Sequence, residues 1–216
     1  MDNTIQKIEP TKDQFANYQA LYDYFNTHLF NGELPRIILN FSRKGKVAGF
    51  FAPDRWVSVQ NKDKTHEISI NPTYMATVPF MEVCETLVHE QVHLWQLAFG
   101  KPSRVGYHNK EWSRKMEEVG LMPSDTGEEG GNKVGQKMSD YCIQGGTFER
   151  VFNELPTSMT LPWVAQESQI GSTRPNNKNK VKYTCSGCGL NMWGKPGLEV
   201  YCKPCEKPLE APEGES

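Results

Sequence analysis

The sequence predicts an α+β fold in which a small, mainly antiparallel sheet packs with helices and a small β module follows. Apolar residues recur every three or four positions over residues 12–30 and 78–99, as they do on amphipathic helices. Between these stretches, residues 36–71 contain short β-rich runs separated by turn-forming spacers, a pattern typical of strands and tight turns. Near the end of the chain, two C-x-x-C pairs indicate a module too small to fold on an apolar core.

The first helix is expected over residues 12–30. Thr11-x-x-Gln14 has the form of a capping box, and Asn31-Gly32 is a stop signal. Four strands should follow, at residues 36–42, 47–52, 55–60 and 66–71.

Two further helices are predicted downstream of the strands. A long helix is expected over residues 78–99, because Pro79 stands near its start and Gly100 just past its end. A shorter helix should cover residues 109–119 and end at Gly120.

Residues 124–147 are rich in glycine and polar side chains, and this composition predicts a loop rather than part of the core. The sequence assigns no role to the glycine-rich stretch 127–146 within it. The chain is expected to divide into a main domain at 1–152 (its core at about 12–123), a linker at 153–180, a cysteine module at 181–208 and an acidic tail at 209–216.

Composition narrows the class of protein. The 216 residues, 37% of them hydrophobic, are enough for one medium core and a small appendage. The net charge of -2 gives no chain-wide attraction to nucleic acid, so any contact with DNA must come from a local patch. The start of the chain lacks the apolar run of a secretory signal, and no stretch reaches the length of a membrane span. We therefore expect a cytoplasmic protein without membrane contact, associated with the nucleoid if its cysteine module contacts DNA.

The predicted long helix carries HEQVH at residues 89–93, which has the spacing of a catalytic zinc site. His89 and His93 are four residues apart, so both project from one face of a helix and can bind one Zn²⁺. Glu90 is adjacent to a ligand without being one, which suits a general base that takes a proton from water. The opposite face is apolar and should anchor the helix in the core, through Val83, Cys84, Leu87, Val88, Leu94 and Trp95.

A catalytic zinc needs a third protein ligand. His108 is the nearest imidazole downstream, just ahead of the second predicted helix. Glu111, Glu117 and Glu118 are rivals, since a glutamate from a following helix completes the site in another class of zinc enzymes. The other two histidines are expected to be solvated or locally bonded: His28 and His66.

The cysteine module has the spacing of a zinc ribbon. Cys185-x-x-Cys188 and Cys202-x-x-Cys205 are separated by thirteen residues and offer four thiolates to a tetrahedral Zn²⁺. Four sulfur ligands leave no position for water, so this zinc should be structural and should stabilise a module that burial alone cannot. The alternative is a pair of redox-active C-x-x-C motifs.

Lysines and aromatic residues surround these cysteines. Trp193 together with Lys180, Lys182, Lys195 and Lys203 is a mixture suited to base stacking and phosphate contacts. The alternative is a solvated ribbon whose aromatic residues pack its small core.

These segments resemble the SprT-like family of zinc metalloproteases, which includes Spartan. The resemblance covers about residues 12–123 and resumes in the cysteine module. Its motifs are FNGELP at 30–35, GFF at 49–51, EISINP at 67–72, ETLVHEQVHLWQ at 85–96 and GYHNKEW at 106–112. One position departs from the usual pattern, because Asn109 stands where a glycine commonly follows the third histidine.

The resemblance implies a zincin-like α+β fold with His108 as the third zinc ligand. It also implies zinc-dependent cleavage of a protein substrate, with one catalytic and one structural zinc, and, by similarity to Spartan, action on proteins attached to DNA. Two other classes of function share parts of these motifs. One is a non-proteolytic, zinc-containing protein associated with DNA or transcription, and the other is a hydrolase of a small amide, which would need a closed pocket.

Overall fold

The computed structural model describes residues 9–43, 47–166 and 180–211. The chain separates into two compact units, Met1–Glu167 and Ser168–Ser216. The first unit combines helices with small sheets and the second contains strands, so the α+β class is confirmed. Within the described ranges, no helix combines the length and apolarity needed to cross a bilayer.

The main sheet of the first unit has three strands, β1 (Ile38–Phe41), β2 (Gly49–Val57) and β3 (Lys64–Ile70), in the order β1-β3-β2. The central strand β3 is antiparallel to β2 and parallel to β1. This sheet is therefore mixed, where a mainly antiparallel one was expected. β2 and β3 form a hairpin, which makes that pair antiparallel, whereas β1 adds to the other side of β3 and runs parallel to it.

The two strands expected at residues 47–52 and 55–60 form one strand, β2. Its pairing with β3 shifts between Ala52 and Trp56, and Asp54 there has a positive φ of 51°. Pro53-Asp54 thus makes an irregularity within a strand rather than a turn between two. The true turn follows β2, where the Ser58 amide donates to the carbonyl of Asp63.

Helices cover the sheet and bury its apolar face. The first helix, α1 (Pro10–Leu29), contributes Tyr18, Leu21, Tyr22 and Phe25 to the core. The predicted capping box is wrong: Glu9 precedes the helix, Pro10 occupies its first turn and Thr11 lies inside it. The Gln14 side chain instead bonds the backbone of Trp163, 149 residues away, which no local pattern could indicate.

The remaining helices of the first unit are α2 (Pro72–Met75), α3 (Phe80–Phe99), α4 (Lys110–Val119) and α5 (Thr147–Asn153). Thus the two helices predicted at 78–99 and 109–119 are confirmed within one or two residues. Gly120 ends α4 in a left-handed conformation, with φ 96°. A β-carbon there would come within 2.4 Å of the Phe148 nitrogen, so glycine is required both by backbone geometry and by space.

Residues 124–147, predicted as a loop, include part of a small sheet. A two-stranded antiparallel sheet pairs β4 (Leu121–Ser124) with β5 (Ser139–Cys142). The stretch between these strands returns toward His108, whose backbone pairs with that of Gly135. The glycine-rich segment therefore belongs to the site described below.

Residues 154–166, which composition placed in a linker, pack against the first unit. Leu161 and Ala165 are buried, and the Ala165 amide donates to the carbonyl of Pro72. Although this segment is polar and rich in proline, its few buried apolar residues hold it against the first unit. Residues 167–179 of the predicted linker lie outside the described residues.

The second unit is a four-stranded antiparallel sheet of β6 (Val181–Cys185), β7 (Asn191–Gly194), β8 (Tyr201–Cys202) and β9 (Lys207–Glu210), in the order β7-β6-β9-β8. Its small core consists of Tyr183, Leu209 and two of the cysteines. Leu209 lies in β9, so the predicted tail at 209–216 begins inside the sheet, and residues 212–216 lie outside the described residues.

Candidate metal centres

The helix α3 carries both histidines of the HEQVH sequence on one face. Its other face is buried, with Val83, Cys84, Leu87, Val88 and Leu94 at most 3% exposed. This apolar anchor fixes the helix rotation, so His89 and His93 face a cleft rather than the core. Trp95, expected on the same apolar face, is only partly buried.

His108 reaches the same place from the turn before α4. Asn109 caps that helix by accepting hydrogen bonds from the amides of Glu111 and Trp112, at 3.1 and 3.0 Å. Its φ of −90° is ordinary for any residue, so the asparagine at the usual glycine position costs no backbone strain. The cap fixes where α4 starts and thereby where His108 points.

The three imidazoles converge. One nitrogen from each of His89, His93 and His108 lies within 4.8 Å of the other two. The Nε2 atoms of His93 and His108 are 3.0 Å apart. Two ligands of a tetrahedral zinc, each about 2.05 Å from it, would lie about 3.3 Å apart, so this spacing fits a shared cation.

Trp112 forms the floor beneath these rings. Its indole is fully buried, and its centroid lies 4.9, 5.3 and 4.3 Å from the rings of His89, His93 and His108 respectively. The floor restricts tilting of all three imidazoles. It comes from the first turn of α4, so the same short helix supplies both the floor and, just before its start, the third histidine.

The rival third ligands are engaged elsewhere. Glu111 accepts hydrogen bonds from Gln96 and from the Lys101 amide. Glu117 pairs with Lys133 at 3.1 Å, and Glu118 pairs with Lys115 at 2.7 Å.

The two other histidines make local contacts, as the sequence led us to expect. The His28 ring lies 2.8 Å from the Tyr24 carbonyl, one turn earlier on α1. The His66 ring accepts from the Asp54 amide across the β2–β3 hairpin. Neither side chain is in the group of three converging histidines.

Two hydrogen bonds that the sequence did not predict orient the imidazoles of His89 and His108 through their Nδ1 atoms. His89 Nδ1 lies 2.7 Å from Asp140 Oδ1, and His108 Nδ1 lies 3.2 Å from the Gly135 carbonyl oxygen. Both partners are acceptors, so each histidine donates from Nδ1 and keeps the Nε2 lone pair for a metal. No motif marks Asp140, which stands 51 residues from His89 in an unassigned segment.

The electrostatics of the cluster favour neutral imidazoles at two positions. Burial, helped by the neighbouring His89 and His108, holds the pKa of His93 well below its ordinary value. Burial and His89 lower the pKa of His108 to about 4. At His89 burial acts in the same direction, but the hydrogen bond to Asp140 and nearby carboxylates outweigh it and raise the pKa. Neutral imidazole is the form that binds a metal.

Glu90 is placed beside the cluster without joining it. Its carboxyl group is buried, and burial raises its pKa to about 7 although His89 and a backbone hydrogen bond from Phe51 oppose the shift. Glu90 and the three histidines line one solvent-open cleft of about 1090 Å³. The start of β2 forms another wall of this cleft. It packs so closely on α3 that a β-carbon on Gly49 would come within 2.8 Å of the Thr86 side chain.

The residues present fit a zinc ion with three protein ligands. Three imidazole nitrogens converge, two imidazoles have acceptors behind them, and the cleft leaves room for water and substrate at a fourth position. This donor set is typical of catalytic zinc rather than of calcium or magnesium, which prefer oxygen ligands.

The four cysteines of the second unit form another candidate metal centre. The sulfur atoms of Cys185, Cys188, Cys202 and Cys205 all lie within 4.8 Å of one another. Backbone amides of Cys188 and Gly187 lower the pKa of Cys185 to about 7, whereas hydrogen bonding to Cys188 raises the pKa of Cys205 to about 12. Four thiolates this close together repel one another, so full deprotonation is unfavourable unless a cation binds between them. The four-cysteine cluster therefore fits a zinc ribbon.

The basic and aromatic residues of the ribbon divide between its surface and its core. Tyr183 is buried, and its hydroxyl donates to the Lys195 carbonyl. Trp193 is 61% exposed and is the direct cross-strand partner of Lys182, so both side chains lie on one face of the β6–β7 hairpin. The lysines singled out from the sequence are all exposed: Lys180, Lys182, Lys195 and Lys203.

Comparison with known proteins agrees with the geometry. A comparison with curated proteins finds no match. The sequence model of the SprT-like family, however, matches residues 18–130, more than half of the chain. That span includes Glu90 and all three converging histidines. The match confirms, over these residues, the resemblance read from the motifs: the chain belongs to the SprT-like family, and residues 18–130 belong to a domain of the metallopeptidase type.

Proposed function

We propose that this protein is a zinc-dependent endopeptidase. His89, His93 and His108 bind the catalytic zinc, and Glu90 is the general base. The observation that carries the proposal is the convergence of three imidazoles in an open cleft that Glu90 also lines. Bound zinc would supply a Lewis acid that acidifies water and polarises the scissile carbonyl.

The residues of the chain then have separate roles. Glu90 takes a proton from the attacking water and returns it to the leaving amine, as its place beside the histidines allows. The Phe51 amide holds the Glu90 carboxylate in position. Trp112 and the acceptors behind His89 and His108 keep the ligands oriented while the substrate exchanges.

The shape of the cleft favours an extended peptide as substrate. The strand β2 pairs with β3 on one side, and its other edge has no strand partner among the described residues. Residues 49–51 at that edge line the cleft together with the histidines. A substrate strand can therefore add to β2 through main-chain hydrogen bonds other than that of the Phe51 amide, which Glu90 accepts. A small-amide hydrolase would be expected to enclose its substrate, which this open cleft does not.

The first experiment replaces Glu90 by glutamine in the zinc-loaded protein. Cleavage of an unfolded protein should fall by about 10²- to 10⁴-fold, because the amide cannot accept the proton. Zinc content should remain that of the native protein, which separates loss of the base from loss of the metal. The matched control is Glu33→Gln, an exposed carboxylate outside the cleft, which should cleave normally. Equal activity of Glu90→Gln and native protein would refute the mechanism.

We also propose that the ribbon carries a structural zinc and brings the protease to DNA-associated proteins. Support comes from the exposed Trp193 beside Lys182, with Lys195 and Lys203 also exposed. An exposed aromatic ring flanked by lysines can stack on a base while the lysines contact phosphates. The alternative, DNA binding without proteolysis, predicts that the native protein itself does not cleave the substrate in the Glu90 experiment, so the two classes of function are separable.

The ribbon proposal is tested by binding a fluorescent single-stranded oligonucleotide. Trp193→Ala should weaken binding by about 5- to 150-fold, the range expected for one lost stacking contact. Leu190→Ala is the control, because Leu190 is a similarly exposed apolar residue of the same unit without an aromatic ring. Equal affinity of Trp193→Ala and native protein would exclude base stacking at this position.

A further inference from the structure

Residues 132–142, called the clip below, contact two of the three converging histidines. The contacts come from Gly135 and Asp140, and both residues lie beyond the span matched by the family model, which ends at residue 130. The two histidines, His89 and His108, lie on different elements, so the clip ties α3 to the turn before α4.

We propose that the clip holds the zinc ligands in register and that Asp140 is a positioning residue for His89. This inference rests on the zinc site proposed above. The Gly135 carbonyl has the equivalent task at His108.

The contact with His89 is short and largely shielded. Asp140 Oδ1 lies 2.7 Å from His89 Nδ1, and the two side chains are only 9% and 12% exposed. A carboxylate that accepts from Nδ1 fixes the tautomer with Nε2 unprotonated, and it also fixes rotation of the ring. Without this acceptor the imidazole could place its proton on Nε2, which cannot then bind metal.

The contact with His108 uses the backbone. The His108 amide donates to the Gly135 carbonyl at 2.7 Å, and the Gly135 amide donates back to the His108 carbonyl at 3.1 Å. The same Gly135 carbonyl lies 3.2 Å from His108 Nδ1. Three contacts from one residue therefore set both the backbone and the ring of His108.

The clip is itself held at both ends. At its start, Asn132 bonds the side chain of Asp125, and Lys133 pairs with Glu117 on α4. At its end, β5 pairs with β4 through four residues, with Asp140 opposite Pro123. These connections make the clip part of the folded unit, so it can impose a fixed geometry on the histidines.

The experiment measures metal binding by Asp140→Ala and Asp140→Asn in the full-length chain. Co²⁺ is the probe, because only a site with thiolate ligands gives thiolate-to-cobalt charge-transfer absorption, so the two centres are read separately. Asp140→Ala should weaken the three-histidine site by about 10- to 100-fold and leave the four-cysteine site unchanged. Asp140→Asn retains an uncharged acceptor and the shape of the side chain, so its Co²⁺ affinity at the three-histidine site should lie between those of the native protein and Asp140→Ala. This variant provides the test if the alanine variant misfolds.

A second readout separates positioning from a general loss of structure. In metal-free native protein, at a pH high enough for His89 to be neutral, nitrogen NMR should show its proton on Nδ1, and Asp140→Ala should shift that proton toward Nε2. The control is Glu128→Gln, which removes an exposed carboxylate just before the clip and should change neither affinity nor tautomer. Native cobalt affinity and an unchanged His89 tautomer in Asp140→Ala would overturn the inference while leaving the zinc site intact. Failure of the native protein to bind metal at the histidines would instead refute the proposed function.

Discussion

Trp112 offers a direct test of how the histidine site is supported. Its side chain is fully buried beneath the three imidazoles, and its Nε1 has no hydrogen-bond partner within the described ranges. Replacing a buried tryptophan by alanine removes the floor and leaves a cavity, at a cost of about 3–5 kcal/mol in the free energy of unfolding.

The phenylalanine variant should behave differently. Trp112→Phe keeps a ring under the histidines and loses about 2 kcal/mol of apolar burial and packing. It also removes a buried N–H without a partner, which recovers about 1–3 kcal/mol. The two effects nearly cancel, so the net change should stay within about 1.5 kcal/mol.

Urea unfolding of the metal-free protein, followed by circular dichroism at 222 nm, measures both variants. This signal reports on the first unit, because every helix within the described ranges lies there. With an m-value of about 2 kcal/mol/M, a loss of 4 kcal/mol lowers the midpoint by about 2 M. Equal destabilisation by phenylalanine and alanine would refute this account of the indole, as would an alanine variant as stable as the native protein.

Two further predictions concern close packing and metal removal. Gly49→Ala should destabilise the first unit by about 1–3 kcal/mol in urea unfolding, because the new β-carbon would meet Thr86 Cγ2 at 2.8 Å. Adding Thr86→Ser removes that methyl group and should recover part of the lost stability. An additive double variant would contradict this contact. Cys185→Ser should weaken cobalt binding by the ribbon, reduce its thiolate-to-cobalt absorption and make residues 181–211 more sensitive to protease, because one of the four thiolates is lost. Cleavage of an unfolded protein by the first unit should persist. Unchanged protection from protease in the absence of metal would show that the ribbon folds on its own.

The elements that the sequence predicted best are those set by local spacing. The helix over 78–99 follows from its apolar period and from Pro79 and Gly100, and the structure has α3 at Phe80–Phe99. The same period places His89 and His93 on one face, since residues four apart on a helix always share a face. In the cysteine module, the spacing of the C-x-x-C pairs anticipated sulfur atoms that the structure brings together.

Predictions that depended on long-range contacts did less well. The capping box at Thr11 was wrong because Gln14 has a partner in Trp163, and the strip 154–166 had the composition of a linker yet packs on the core. The pairing of β1 with β3, and its parallel direction, likewise depend on contacts between separate segments of the chain. None of these outcomes is visible in a short window of sequence.

The sequence by itself determined that His89, His93 and the four cysteines could hold metal, because helical and knuckle spacing are properties of a few neighbouring residues. His108 was one of four candidates for the third ligand, and the family resemblance and the structure favour it over the glutamates. Only the tertiary structure decided what holds those side chains in place. Asp140 and Gly135 reach His89 and His108 from 51 and 27 residues away. Their role arises from chain packing, since a hydrogen bond needs its two atoms about 3 Å apart in space and requires nothing of the sequence between them.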